Sequence, residues 1–345
     1  MDKNNKKLMV SDIGEFTLIE RIRKVIDRAG YSPDLLVHGI GDDTAVFKSP
    51  GPGYEMLVTC DTMVEGRHYL RDHITPMEIG RRAMVMNISD IGAMGGEPLY
   101  SLVSLGLRSS EWVEDIEEIY RGFIEELETF GAGIIGGNIS RIDGSPFIDI
   151  TLIGRVNRDF KILRSSARSG DAVMVTGCPG RAAAGYWLIS NKIPESGQNT
   201  ILLDAYLRPR HRAREGHALA MSGRVTSMID ISDGLSGDLL HICESSNTGV
   251  EIKEEMLPSC MALEEFSNST NKRKEDIILG PSDDYELLFT CSHEYIADVN
   301  SILSEYNCPV TNIGEIVPEE RGMTVVSKDG ERKVLLKKGW DHFNK

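Results

Sequence analysis

In Val225-Thr-Ser-Met-Ile-Asp-Ile-Ser-Asp-Gly-Leu235 an apolar, β-branched run ends at Asp230, and Asp233-Gly234-Leu235 opens a helix expected to reach about Ser246. Two carboxylates three residues apart at a strand-to-helix switch converge on one point. At ~4 Å and an effective dielectric of 20, two such charges repel by about 4 kcal/mol. Such a site either raises a carboxylate pKa or holds a cation. Turn residue and helix cap are the ordinary roles of an isolated Asp-x-x-Asp. Further acids of the same kind along the chain turn the reading toward a cation.

Working outward from that stretch, His38-Gly-Ile-Gly-Asp-Asp-Thr-Ala-Val-Phe47 is a glycine-punctuated approach to a short strand. Adjacent Asp42 and Asp43 point to opposite sides of extended chain, so one of them faces a given site, and Asp43 is favoured. Tyr54 to Cys60 reads as a buried strand with Asp61 at its end, and Thr62 to Tyr69, with a lone His68, reads as irregular. Thr75-Pro-Met-Glu78 has the form of a helix start: N-cap, proline in the first turn and a capping-box glutamate. That helix buries Met77, Met84, Ile88 and Ile91, with Asn87 and Asp90 sharing a flank. Such a pair is either a solvated edge or the wall of a site.

A strand over 99–107 leads to a helix capped by Ser110, with apolar residues from Val113 to Leu127 at helical spacing. Ala132 to Ser140 is a short strand whose glycine pair lets backbone N–H groups approach an anion. Phe147 to Val156 is a further strand. Composition turns polar and basic over 157–171, which places a domain boundary near its start. Asp171 to Gly177 is a strand leading into Cys-Pro-Gly180 and a helix near Arg181. The segment lacks the Lys and Ser/Thr of a Walker loop, so packing is the simpler reason for its glycines. Residues 190–200 are a polar connection, and a helix covers about His211–Met221. Residues 280–290 lead two acids into a strand, and Asp329-Gly330 marks a hairpin. The periodicity also predicts a helix over 14–29. Strands and helices interleave in both halves, which makes the class mixed α and β.

A chain of 345 residues is long enough for two domains with substantial cores. The net charge of −15 argues against a nucleic-acid or anionic-lipid surface, and a polyphosphate would need local help from metal ions or placed cations. Six cysteines without a C-x-x-C pair fit free thiols in a reducing compartment. No signal peptide and no membrane-length apolar run is visible, so the expected location is the cytoplasm.

GIGDDTAVF, TCDTMVEGRHY, NISDIGAMGG, GGN, ILRSSARSGDAVMVTG, DISDGL, DDYELLF and KGWDHF follow one another across the chain, after Gly14-Glu-Phe16. In that order they resemble the thiamine-monophosphate kinase family of the aminoimidazole ribonucleotide synthetase superfamily. The resemblance implies an α+β homodimer whose N-terminal sheets pair across the dimer. It implies an N-terminal domain over 1–157, and a C-terminal domain over 158–345 that completes a cleft for ATP and substrate. The family passes the γ-phosphoryl group of ATP directly to thiamine monophosphate, with Mg²⁺ and without a phospho-enzyme. Position by position, Asp43, Asp61, Asp90, Asp230 and Asp233 fall on magnesium ligands, with Thr59 and Cys60 able to add oxygens. Cys60 would do so through its carbonyl, since a thiol suits Mg²⁺ poorly.

Gly137, Asn138, Arg164, Ser232 and Tyr120 fall where the family contacts ATP, and His68, Asp283 and Trp340 fall on thiamine-phosphate positions. Trp340 is either a ring against the cationic thiazolium or a tail anchor. Two departures stand out. Asn138 replaces a common Asp and offers metal one neutral oxygen, and Asp283 is a shorter stand-in for a Glu. Aminoimidazole ribonucleotide and selenophosphate synthetases share the acidic ATP site, but selenophosphate chemistry would want a reactive cysteine near the N-terminus and the first here is Cys60. A non-catalytic nucleotide or metal sensor is the reading from another class, and the intact set of aspartates argues against it.

Overall fold

The computed structural model describes residues 36–38, 42–48 and 51–335. The helix expected over 14–29, the Gly14-Glu-Phe16 motif and Trp340 lie outside the described residues. The first sheet comprises β1 (Leu36–His38), β2 (Ala45–Lys48), β3 (Tyr54–Val64), β4 (Glu97–Leu107), β5 (Gly133–Arg141) and β6 (Phe147–Asn157) in the order β1-β2-β3-β6-β4-β5. All its pairings are antiparallel except β4 with β5. On β6, Ile148, Ile150, Leu152, Gly154 and Val156 are buried while the residues between them are partly open, as period-2 alternation requires when one face is covered. The cover is α1 (Pro76–Ala93), which packs on β3 and β6, with α2 (Val113–Glu128) packed against α1.

The start of α1 is as its sequence demands: Thr75 accepts from the Glu78 N–H, Glu78 accepts from the Thr75 N–H, and Pro76 fills the first turn. Two boundaries differ from expectation. Strand β3 continues past Asp61 to Val64, because every residue from Tyr54 to Val64 is paired with β6, so Asp61 lies inside the strand rather than at its end. Helix α2 is capped by the backbone of Trp112 rather than by Ser110, since a turn from Arg108 to Glu111 uses up the preceding residues.

The second sheet contains β7 (Asp171–Thr176), β8 (Val225–Asp230), β9 (Thr248–Lys253), β10 (Leu287–Ser292), β11 (Val310–Pro318), β12 (Met323–Val326) and β13 (Arg332–Val334), ordered β13-β12-β9-β11-β7-β10-β8. Every residue of β7 is buried, as suits a central strand. Around the sheet lie α3 (Arg181–Ser190), α4 (Asn199–Leu207), α5 (Ala213–Ser222), α6 (Leu235–Ser246), α7 (Met261–Thr270), α8 (Lys274–Ile278) and α9 (Ile296–Ser304). The sequence reading did not assign α4, which buries Leu202 and Tyr206.

Edge strand β8 is where the two halves meet. Helix α1 packs against both β8 and α5. The approach is so close that a Cβ on Gly92 would stand 2.5 Å from the Ala213 Cα, and one on Gly216 would stand 2.2 Å from the Gly92 carbonyl oxygen. This contact brings the C-terminal turn of α1 alongside the end of β8. Among the described residues no helix is long and apolar enough to cross a membrane.

Candidate active site

Each acid at the junction is delivered by a different element. The segment between β1 and β2 carries Asp42 and Asp43, β3 carries Asp61, α1 carries Asp90, and β8 ends on Asp230. One carboxylate oxygen from each of Asp43, Asp90 and Asp230 lies within 4.8 Å of the others. Thr59 donates to Asp90 at 2.5 Å, and buried Ser89 donates to Asp230 at 2.6 Å. Arg164 forks onto Asp43 through Nε at 2.9 Å and Nη2 at 2.6 Å, while its backbone N–H donates to Asp42 at 3.2 Å. Asp42 also accepts the Asp43 N–H at 3.1 Å, so the acid that points away from the cluster fixes the one that joins it.

This density of buried carboxyls with one guanidinium is electrostatically unfavourable. Burial, then repulsion among Asp61, Asp43 and Asp230, pushes Asp90 well above the usual carboxylate range. Burial and the neighbouring Asp43 do the same to Asp230. Burial raises Asp61 to about 6, against a hydrogen bond with Asp90, and burial raises Asp43 against the pull of Arg164. Behind them Asp238 is buried and raised, chiefly by desolvation and then by Asp233 and Asp230; it accepts the Gly234 N–H at 3.1 Å. Gly234 sits at φ +116°, and a Cβ there would meet the Gly280 carbonyl at 2.2 Å, so the turn after Asp233 admits only glycine. A dication among these groups would reverse each of the shifts. The donors are carboxylate oxygens with a hydroxyl beside them, which fits a hard ion such as Mg²⁺ and not a soft one.

A second cluster adjoins the first. The Nε of Arg82 donates to the His68 carbonyl at 3.1 Å, its Nη2 pairs with Asp283, and its Nη1 donates to the Tyr206 carbonyl. Burial raises the Tyr285 phenol, and Asp283, Arg82, Asp61 and Asp230 all act on it, so both clusters reach it electrostatically. Tyr285 has φ +52°, a conformation rarely held by a bulky residue. Its neighbours on both sides are tied down. Asp284 accepts the Gly180 and Ala182 N–H groups at 2.6 and 3.0 Å, and Glu286 binds Thr176, Arg181 and Arg212. The helix N-terminus after Cys178-Pro-Gly180 is therefore occupied by the protein's own carboxylate.

Four of the other residues singled out in the sequence, Cys60, Tyr120, Gly137 and Asn138, are not gathered in the same place. The Cys60 side chain lies on the opposite face of β3 from Thr59 and Asp61, donating to Asp149 at 3.4 Å. Gly137 and Asn138 are on exposed edge strand β5, three strands from β3, or about 14 Å at normal strand spacing. Asn138 stands in register with Ser104, which pairs with Asp149, which pairs with Thr62, so it belongs to the open face of the sheet. Tyr120 lies on α2 in an apolar cleft of about 440 Å³ with Ile116, Ile124 and Leu107. Ser232 and Asp233 follow Asp230, both half-buried. His68 accepts the Val64 N–H on Nδ1 at 3.0 Å, which leaves the proton on Nε2 when the ring is neutral.

Sequence reasoning passed over Arg82, Ser89, Asp238 and Tyr285. A signal existed for Arg82, a charge set into the apolar stripe between Ile79 and Met84, and for Ser89 in its position beside Asp90.

Two domains whose junction carries converging acids define the class, and the sequence matches agree. Residues 41–156 match the family of the AIR synthase related protein, N-terminal domain, and residues 168–327 match that of the AIR synthase related protein, C-terminal domain. The thiamine-monophosphate kinase of Buchnera aphidicola subsp. Acyrthosiphon pisum is 32% identical over 96% of this chain and 100% of its own length. That of Bacillus subtilis is 33% identical over 88% of this chain and 93% of its own. Among solved structures, AaThiL complexed with AMPPCP and TMP superposes with a TM-score of 0.83 at 31% identity, covering 97% of this chain and 99% of that one. Hydrogenase maturation protein HypE in complex with ATP is similar at a TM-score of 0.68 and 17% identity, over 92% of this chain and 94% of that one, a likeness of fold alone. The chain belongs to the thiamine-monophosphate kinase family.

Proposed function

We propose that this chain transfers the γ-phosphoryl group of ATP to the phosphate of thiamine monophosphate, giving thiamine diphosphate and ADP. The observation that carries the reading is the convergence of Asp43, Asp90 and Asp230 from a loop, a helix and a strand end, next to the Arg82–Asp283 pair. Its support outside the chain is full-length similarity to thiamine-monophosphate kinases and to a relative solved with AMPPCP and TMP.

Asp43, Asp61, Asp90, Asp230 and Asp233 would hold Mg²⁺, with the Thr59 hydroxyl and the Cys60 carbonyl in reach of further coordination. Bound there, Mg²⁺ supplies charge neutralisation between two phosphate-bearing substrates, which is most of what phosphoryl transfer asks of a protein. Arg164, now forked on Asp43, would share its guanidinium with the ATP phosphates. Ser232 would reach the same ligand from the turn after Asp230, whereas Tyr120, in its separate cleft on α2, is assigned to ATP by the family resemblance alone. His68, Asp283 and Trp340 orient the thiamine phosphate. No side chain at the junction is needed as a nucleophile, consistent with direct transfer.

The same reading includes a homodimer with paired N-terminal sheets. Tyr100 and Leu102 on the open face of β4 are exposed apolar side chains that such pairing would cover. Pairing would also bring a second β5 edge, with Gly137 and Asn138, toward each site, which the distance within one subunit does not. Domains divided at 157/158 and a cytoplasmic location, for which six free thiols speak, complete the proposal.

The test is incubation of the purified protein with thiamine monophosphate, ATP and Mg²⁺, with chromatography for thiamine diphosphate and ADP. Aminoimidazole precursors and selenide are run in parallel. Folded protein that forms no thiamine diphosphate refutes the assignment.

A further inference from the structure

We infer that Arg82 is the positioning residue of the acceptor end, fixing His68 and Asp283 relative to the acid cluster and thereby setting the affinity for the thiamine phosphate. The inference rests on the kinase reading above. Arg82 is 2% exposed, in the middle of α1, eight residues before Asp90 on the same helix. Eight residues rise about 12 Å, so one rigid helix carries a cluster carboxylate at one point and this guanidinium at another. Each guanidinium nitrogen serves a different segment. Nε bonds the His68 carbonyl, Nη1 the Tyr206 carbonyl at the end of α4, and Nη2 the Asp283 carboxylate before β10. Its Cζ also lies 4.8 Å from the centre of the Tyr206 ring.

A buried arginine is a costly way to hold loops together, because removing its charge from water is repaid only by good geometry. An apolar side chain would pack α1 against its neighbours more cheaply. What the guanidinium adds is direction: a planar fork fixes three partners at set angles, which an ammonium cannot do. Two of the three partners lie on segments that bear candidate acceptor contacts, and the Tyr285 phenol feels both Arg82 and Asp283. Asp283 keeps a side chain 31% exposed while Arg82 is buried, so the carboxylate pairs inward with Arg82 and stays partly open to solvent.

The experiment is steady-state kinetics of the full-length protein carrying Arg82→Lys, against wild type, with thiamine monophosphate and ATP varied separately. A rise of tenfold or more in KM for thiamine monophosphate is expected, with KM for ATP within threefold of wild type. Arg82→Met, which keeps an unbranched stem but loses every donor, should raise the same KM at least as far while KM for ATP stays within threefold. Parallel change in both KM values, or an unchanged KM for thiamine monophosphate, overturns the inference. Should Arg82→Lys fail to fold, Asp283→Asn replaces it, and an unchanged KM for thiamine monophosphate in that variant overturns the inference equally. Wild-type protein that makes no thiamine diphosphate defeats the kinase reading instead, so the two failures are distinguishable.

Discussion

At the residue scale, the acids at the junction work against the fold that holds them. A carboxyl whose folded pKa lies above its unfolded value binds more protons when folded, so its contribution is present at low pH and lost as pH rises. For Asp61, which rises from 3.8 to about 6, the loss runs through that interval and amounts to about 3 kcal/mol. Asp43, Asp90 and Asp230 shift in the same direction. The metal-free protein should therefore lose the Asp61 share of this stabilisation between about pH 4 and pH 6, and Mg²⁺ at pH 8 should restore it. Thermal melts at pH 5.5 and pH 8, with Mg²⁺ or with chelator, check this. A melting temperature that Mg²⁺ leaves unchanged at pH 8 counts against the cluster as a cation site. By the same argument Asp230→Asn should abolish turnover, by 10²-fold or more, yet raise the melting temperature of the metal-free protein at pH 8. Near-normal turnover at saturating Mg²⁺ would remove Asp230 from the site.

At the scale of elements, α1 is the member on which the others are set out. Its start was legible because Thr75, Pro76 and Glu78 satisfy the helix N-terminus through local chemistry alone. Its neighbours were not legible, because periodicity shows which stripe of a helix is buried and not what buries it. The contact with α5 depends on Gly92 and Gly216, where any side chain meets backbone. Gly92→Val should cost about 1–3 kcal/mol, as overpacking of a close contact generally does. It should also lower turnover more than it lowers secondary structure, because Asp90 and Ser89 would part from Asp230. Circular dichroism alongside the kinase assay separates the two effects. Equal activity per folded molecule would mean that the crossing does not position the site. The reach of β3 beyond Asp61 is a similar case, since its last residues are held by β6 and no local signal marks them.

At the scale of the molecule, the face of the N-terminal sheet away from α1 is open, with Tyr100 48% and Leu102 38% exposed on β4. Paired in a homodimer, this surface would be covered, so Leu102→Asp should shift the protein from dimer to monomer in sedimentation velocity. It should also reduce turnover if Gly137 and Asn138 serve the opposite subunit. A wild-type protein that sediments as a monomer while active would remove the dimer from the account.

The sequence by itself determined the alternation of strands and helices, the helix start at Thr75, the turn after Asp230 and the family to which the chain belongs. Those depend on local hydrogen bonding, on the period of apolar residues and on motif order, all of which a linear string preserves. Only the tertiary structure decided that Asp43, Asp90 and Asp230 share a point, that Arg82 joins His68 to Asp283, and that Asn138 lies on a different face of the sheet from the acids. Those facts are set by the register of strands and by the close crossing of α1 with α5. They arise when residues far apart in sequence are packed together, so no spacing along the chain encodes them.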